Sequence, residues 1–153
     1  MKKNDITWQC KPFSDLRAAE LHRLLSLRCA VFVVEQNCPY LDPDHKDEHA
    51  LHVMGWKGSE LVACARILPA GISYDEVSVG RVATSSSVRG KGVGRELMKK
   101  TMEYIRTVFG DVPVRISAQS YLQIFYEDLG FKRTKKKEYL EDDIPHVEML
   151  LGV

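Results

Sequence analysis

The stretch with the clearest chemical capacity is Arg89-Gly90-Lys91-Gly92-Val93-Gly94-Arg95, which follows an alternating segment and opens a run with apolar residues at helical spacing. Glycines let a backbone turn with its N–H groups uncovered, and a helix beginning here adds unpaired N–H donors and the positive end of its dipole. Arg89, Lys91 and Arg95 bring full charges to the same point, so the expected guest is a phosphate or a pyrophosphate. Three readings of such a loop compete. A P-loop requires Gly-Lys followed by Ser or Thr, and here Gly90-Lys91 is followed by Gly92. A dinucleotide fingerprint requires Gly-x-Gly-x-x-Gly after the first strand, whereas the spacing is Gly90-x-Gly92-x-Gly94 past mid-chain. The third reading is a flexible basic turn ahead of a helix.

Other reactive side chains are scattered. Glu35-Gln36 close a helical pattern that Ser14 would cap and that runs through Leu21, Leu24, Leu25, Arg28, Val31 and Phe32; on their own they read as a solvated helix end. Tyr126 falls on or beside the apolar stripe of Leu122, Phe125 and Leu129 and by itself reads as a core tyrosine. The segment Asp42-Pro43-Asp44-His45-Lys46-Asp47-Glu48-His49 is rich in metal-ligand types. It lacks both the calcium-loop order and His-Glu-x-x-His, so a solvated acidic loop is expected there, with His52 set apart because it begins a strand. No metal is expected. Cys10, Cys29, Cys38 and Cys64 form no Cys-x-x-Cys pair, so neither zinc nor a disulfide framework is indicated.

Arg89-x-x-Gly92-x-Gly94 between a strand and an amphipathic helix resembles the acetyl-CoA signature of the GCN5-related N-acetyltransferases, the GNAT superfamily. Downstream, Val114 to Gln119 reads as a strand, and Phe125-Tyr126-Glu127-Asp128-Leu129-Gly130-Phe131 is similar to that superfamily's helix ending in Tyr-x-x-x-Gly-Phe. Arg28 to Gln36 and Tyr139 to His146 resemble the ElaA-like branch. Ser86 departs from the pattern, standing where many relatives carry Pro.

The resemblance implies a sheet that splays between its fourth and fifth strands, Val77 to Thr84 and Val114 to Gln119, with the pantetheine arm of acetyl-CoA in the split. An unpaired strand edge offers N–H and C=O groups at the spacing pantetheine presents. The implied cofactor set is Val82, Ala83, Thr84, the loop residues Arg89, Gly90, Lys91, Gly92, Val93, Gly94 and Arg95, then Gln119 and Tyr126. The implied reaction is acetyl transfer to a small-molecule or peptide amine by direct attack in a ternary complex, since no cysteine stands in a nucleophile motif. Tyr126 would protonate the departing thiolate. Arg28, Glu35, Gln36, Glu141, Asp142 and His146 would line the acceptor cavity; Glu35, Glu141, Asp142 and His146 are the candidate bases, with Glu35 and His146 foremost. A CoA-ester sensor or interaction module without transfer is the alternative.

These residues need a frame. The chain has 153 residues, 44% hydrophobic and 28% charged, which suits a single domain over residues 1–153 with its own core. A net charge of +1 argues against nucleic-acid or membrane-surface binding, and no run approaches a membrane span. Met1-Lys2-Lys3-Asn4-Asp5 leads into alternation rather than an apolar segment, so no signal peptide is expected and a cytoplasmic setting fits. A homodimer is left open. Ile6, Trp8 and Cys10 mark a first strand ended by Pro12; Ala50 to Trp56 and Leu61 to Leu68 form a hairpin about Lys57-Gly58-Ser59-Glu60. A helix from Val93 to Phe109 closes at Gly110 to Pro113. Past Tyr126, Arg133 to Lys137 reads as a solvated basic edge, Ile144-Pro145 as a turn, and His146 to Leu151 as the last strand. The order is strand, helix, three strands, helix, strand, helix, two strands: a mixed, mostly antiparallel sheet flanked by helices, α+β or α/β.

Overall fold

The computed structural model describes residues 5–152, so the charged start Met1-Lys2-Lys3-Asn4, read as carrying no signal peptide, lies outside the described residues. Strands β1 (Thr7–Pro12), β2 (Leu51–Lys57), β3 (Glu60–Leu68) and β4 (Val77–Thr84) pair antiparallel in succession. Residues 61–68 of β3 are all buried because both faces of this half-sheet are covered. Helix α1 (Ala18–Arg28) brings Leu24 and Leu27 to Met54, Leu61 and Cys64, while α2 (Val93–Phe109) brings Leu97, Met98 and Ile105 to Val62, Ala65 and Ile67. A strand buried on both sides shows a continuous apolar run instead of alternation.

The crossover through α2 leads to β5 (Val114–Gln119), parallel to β4. Only Val77–Val114 and Ser78–Arg115 pair; beyond them the two strands part. From there β5 pairs along its whole length with β8 (Ile144–Leu151), whose far edge holds β6 (Lys132–Arg133) and β7 (Tyr139–Glu141). The sheet order is β1-β2-β3-β4-β5-β8-β6, with β7 also on β8. Two half-sheets are thus joined at one end of β4 and β5 and open at the other. This is the expected α+β arrangement, with three strands rather than two after the last helix, α3 (Gln123–Asp128). Among the described residues no helix is long and apolar enough to cross a membrane.

Helix α2 has the bounds that its apolar spacing predicts. Gly92 supplies its N-cap at φ +78°, a left-handed conformation that other residues rarely adopt. Trp8 on β1 donates its indole N–H to Glu96 at 2.9 Å, fixing the first turn of α2 over the sheet.

The start of α1 differs from expectation. Phe13–Asp15 takes a short 3-10 turn, and the helix begins at Ala18. The buried Glu20 carboxylate accepts from the Arg17 N–H at 2.9 Å and from Lys11 at 2.9 Å, supplying the first-turn acceptor that Ser14 was expected to provide. After Arg28 the winding widens into a π-helical segment, Cys29–Glu35, instead of a plain helix end. The extra residue per turn rotates the following side chains, so Arg28 and Val31 stay buried while Phe32, Glu35 and Gln36 reach the open side of the sheet. The last hairpin turns at Asp142-Asp143, with φ 51° and 63°, as in a two-residue type I′ loop. Ile144 and Pro145 therefore lie in β8 and do not turn the chain. Pro145 sits past His146, the last residue paired with β5, where its missing N–H costs no bond to that strand.

Candidate functional site

A cavity of about 730 Å³ occupies the split between β4 and β5. Its walls include Val82, Ala83 and Thr84 of β4, Gln119 of β5, Arg89 and Gly94 of the basic loop, and Tyr126 of α3. Glu35, Gln36, Glu141, Asp142 and His146 line it as well. Residues from four separate stretches of the chain thus meet in one place.

The basic loop brings full charges and unpaired N–H groups together. Ser85 caps a short turn, Ser86–Val88, by accepting from the Ser87 N–H, so the exit from β4 is held by a serine cap. The first bond of α2 runs from the Glu96 N–H to the Gly92 carbonyl at 3.1 Å. The N–H groups of Val93, Gly94 and Arg95 precede it and have no carbonyl within the helix to meet. Gly90, Lys91, Gly92 and Arg95 are exposed, Arg95 lying 3.6 Å from Asp128, while the Val93 side chain is core. Arg89 reaches across instead: its guanidinium binds the Glu35 carboxylate and the Thr84 carbonyl, the latter at 2.8 Å. The foremost candidate base on the helical side is therefore paired with the anion loop.

Tyr126 is 6% exposed and packs edge-on against Phe125 and Phe131, with ring centroids 5.1 and 5.9 Å away. Burial pushes its hydroxyl up to about 12, so it holds its proton at neutral pH. The Tyr-x-x-x-Gly-Phe pattern has a physical cause. Gly130, at φ +98°, donates to the Glu127 carbonyl, and Phe131 donates to the Tyr126 carbonyl. That double closure ends α3 and seats Phe131 in the core against the Tyr126 ring.

His146, 8% exposed, comes from the opposite wall. Its Nδ1 stands 2.7 Å from the Ile144 carbonyl. A carbonyl only accepts, so Nδ1 carries a proton, and the other ring nitrogen, Nε2, lies 3.5 Å from Glu141 Oε2. Ser117 on β5, absent from the expected site residues, also lines this wall, and it is bonded to both Tyr139 on β7 and Glu141. The available signal was the alternation in β5, where Arg115, Ser117 and Gln119 share the less buried face.

Arg28 is a correction. Expected in the acceptor wall, it is 1% exposed and is not part of the cavity lining. Its guanidinium binds Asp42 at 2.6 Å and Asp47 at 2.7 Å. Arg66 binds Asp44 at 2.6 Å and Asp47 at 3.0 Å, and Arg81 lies 2.9 Å from Asp42. The acidic loop is solvated as expected at Asp44, His45, Lys46, Glu48 and His49, but Asp42 and Asp47 are buried, because three arginines from α1, β3 and β4 match three aspartates in charge. Burial holds His52 below the usual histidine range, and its Nε2 meets the Asp47 carbonyl at 2.9 Å, so it belongs to this cluster as a neutral ring. The cluster fixes Tyr40, Arg66 and Arg81 as one wall of the cavity.

A family model described as Acetyltransferase (GNAT) domain matches residues 30–152. The protein ElaA of Escherichia coli strain K12 is 47% identical over 146 residues, which cover 94% of this chain and 95% of that protein. A crystal structure of an acyl-CoA N-acyltransferase from Pseudomonas aeruginosa is similar with a TM-score of 0.90 and 41% identity, covering 95% of this chain and 98% of the other. The crystal structure of Escherichia coli ElaA is similar with a TM-score of 0.88 and 46% identity over the same shares, 95% and 98%.

Proposed function

The chain belongs to the GNAT acetyltransferase family, in its ElaA-like branch, and from that premise we propose that it moves the acetyl group of acetyl-CoA to an amine by direct attack in a ternary complex. The observation that carries this reading is the parting of β4 and β5 after Ser78 and Arg115. It leaves a cavity with an anion loop, a buried tyrosine and a histidine on its walls. In this reading the pyrophosphate rests on the N–H groups at the start of α2, with Arg89 beside it, and pantetheine runs along Val82, Ala83 and Thr84 with Gln119 across the split.

An alkylamine with an ordinary pKa near 10.4 is almost wholly protonated at neutral pH, so a base must act first. His146 takes this role, because it lines the cavity with Nδ1 held by the Ile144 carbonyl and Nε2 left for the amine, while Glu35 is held by Arg89. The freed amine attacks the thioester carbon, and a backbone N–H of β4 stabilises the oxyanion, an effect of about 3 kcal/mol per donor. As the C–N bond forms and the C–S bond breaks, Tyr126 delivers its proton to the thiolate. The four free cysteines support a reducing, cytoplasmic setting for this reaction.

Tyr126→Phe keeps the ring and its packing against Phe125 and Phe131 and removes only the hydroxyl. Turnover should fall by at least about tenfold, with the acetyl-CoA dissociation constant within a few fold of wild type. Single-turnover kinetics, which isolate chemistry from product release, give the decisive reading: an unchanged rate there removes Tyr126 from the mechanism.

Glu35→Gln separates the anion loop from the chemistry. Freed of a carboxylate, Arg89 should bind acetyl-CoA about two- to fivefold more tightly, the size of an exposed ion pair, with turnover at saturation changed by less than about threefold. A fall in turnover of tenfold or more would return Glu35 to the reaction as base. Acetyl-CoA binding without CoA release in the presence of polyamines, amino acids, aminoglycosides and peptide N-termini would favour a CoA-ester sensor instead.

A further inference from the structure

Ser117 stands on β5 and Tyr139 and Glu141 on β7, the two strands that flank the start of β8, and their hydrogen bonds have only one consistent direction. Glu141 as a carboxylate can only accept, so Ser117 spends its single proton on Glu141 Oε1 at 2.8 Å. The contact of 2.6 Å between Ser117 Oγ and Tyr139 Oη must then be donated by Tyr139. The Tyr139 ring is itself held, stacked on His146 at 6.2 Å and 22°, with the Lys136 ammonium 4.3 Å from its centroid. The result is a relay of hydroxyls that ends on one carboxylate.

The Glu141 side chain is 48% exposed on a hairpin edge, where an untethered glutamate would sample several rotamers. The relay selects the one that sets Oε2 3.5 Å from His146 Nε2. With Nδ1–H given to Ile144, the remaining ring nitrogen, Nε2, faces a carboxylate oxygen, and when that nitrogen carries no proton it meets the carboxylate as a second acceptor. Two acceptors facing each other repel, and an ammonium with several N–H groups satisfies both at once.

We propose that Ser117 and Tyr139 are positioning residues which fix Glu141 beside His146 and so build a two-acceptor seat for the acceptor's primary ammonium. The inference rests on the acetyl-transfer reading above. In the seat one N–H of the ammonium points at His146 Nε2 and another at Glu141 Oε2. The first N–H bond breaks, an Nε2–H bond forms, and the electron pair stays on the amine nitrogen for attack. Glu141 then faces the imidazolium and keeps the neutral amine in place through its remaining N–H.

The test takes whichever of spermidine, lysine, kanamycin and an alanine-initiated peptide gives the fastest CoA release, and measures kcat/KM for that amine at saturating acetyl-CoA. Ser117→Ala and Tyr139→Phe should each lower it by about tenfold, mainly through KM, with acetyl-CoA affinity by calorimetry unchanged. Ser117→Thr, which restores a hydroxyl, should recover most of the loss. The sharper readout is coupling: because Ser117 acts through Glu141, Ser117→Ala with Glu141→Gln should cost no more than Glu141→Gln alone. Additive losses in that double variant, or wild-type kcat/KM in Tyr139→Phe, overturn the proposal while leaving acetyl transfer intact. A wild-type chain that binds acetyl-CoA and releases no CoA with any of the four amines overturns the transferase reading, and this proposal with it. Should Ser117→Ala fail to fold, Tyr139→Phe carries the same decision, since it keeps the stacked ring.

Discussion

Replacing Gly94 by Asp is expected to abolish acetyl-CoA binding while leaving the fold intact. Gly94 lines the cavity at the second position of α2, without the positive φ of Gly92. A Cβ there would meet only Phe125 Cζ at 3.9 Å, an ordinary contact. An acid in the first turn also suits the helix dipole, so the substitution should not lower stability. It does place a negative charge where the pyrophosphate is proposed to lie, against the very donors that would bind it. The affinity loss should exceed about a hundredfold, or about 2.7 kcal/mol. Gly92→Asp is the poorer probe, because a side chain at φ +78° adds about 1–2 kcal/mol of backbone strain. Calorimetry with acetyl-CoA, alongside thermal melting, checks the result. Wild-type affinity in a folded Gly94→Asp protein would rule out this loop as the phosphate site.

Arg28→Ala should be strongly destabilising. It removes the guanidinium that touches both Asp42 and Asp47 and leaves two buried carboxylates short of charge. Breaking a buried pair in this way costs about 3–5 kcal/mol, a large share of the 5–15 kcal/mol that holds a typical domain together. The same cluster predicts acid sensitivity. Burial alone would raise the Asp47 carboxyl, but hydrogen bonds and charge from Arg28 and Arg66 outweigh it and hold the group below the usual carboxylate range. A folded value below the unfolded one means that the stabilisation is complete above about pH 4 and is lost as pH falls through the folded value. Urea unfolding between pH 3 and 8 should therefore show wild-type stability flat near neutrality and falling at the acid end. In Arg28→Ala that fall should begin at higher pH, because burial then opposes the Asp47 charge with less compensation. A loss below about 1 kcal/mol for Arg28→Ala would mean that water reaches the cluster and that the loop is not held by it.

What local chemistry controls was legible in the residues themselves. The apolar repeat from Val93 to Phe109, with Gly92 before it and Gly110 after it, predicts the bounds of α2, since helix periodicity and end capping act within a few residues. The hairpin of β2 and β3, the glycines and charges of the anion loop, and Tyr126 ahead of Gly130-Phe131 are local in the same sense. The remaining features depend on which segments the sheet brings together. Nothing near Arg28 announces that Asp42 and Asp47 will neutralise it, and nothing near Arg89 names Glu35, 54 positions away, as its partner. The same residues would have been a solvated acidic loop and a free glutamate had the chain returned elsewhere. Ser117, Tyr139, Glu141 and His146 meet because β5, β7 and β8 adjoin with one particular register. Shifting that register by one residue would turn each side chain to the other face. Sequence alone determined most of the helices and strands, the basic loop and the place of the tyrosine; the tertiary structure decided where α1 starts and widens, which charges are buried, which acid is already paired, and which side chains meet His146. The reason is physical: propensity and capping are short-range, whereas desolvation and pairing of charges depend on neighbours that only the closed sheet supplies.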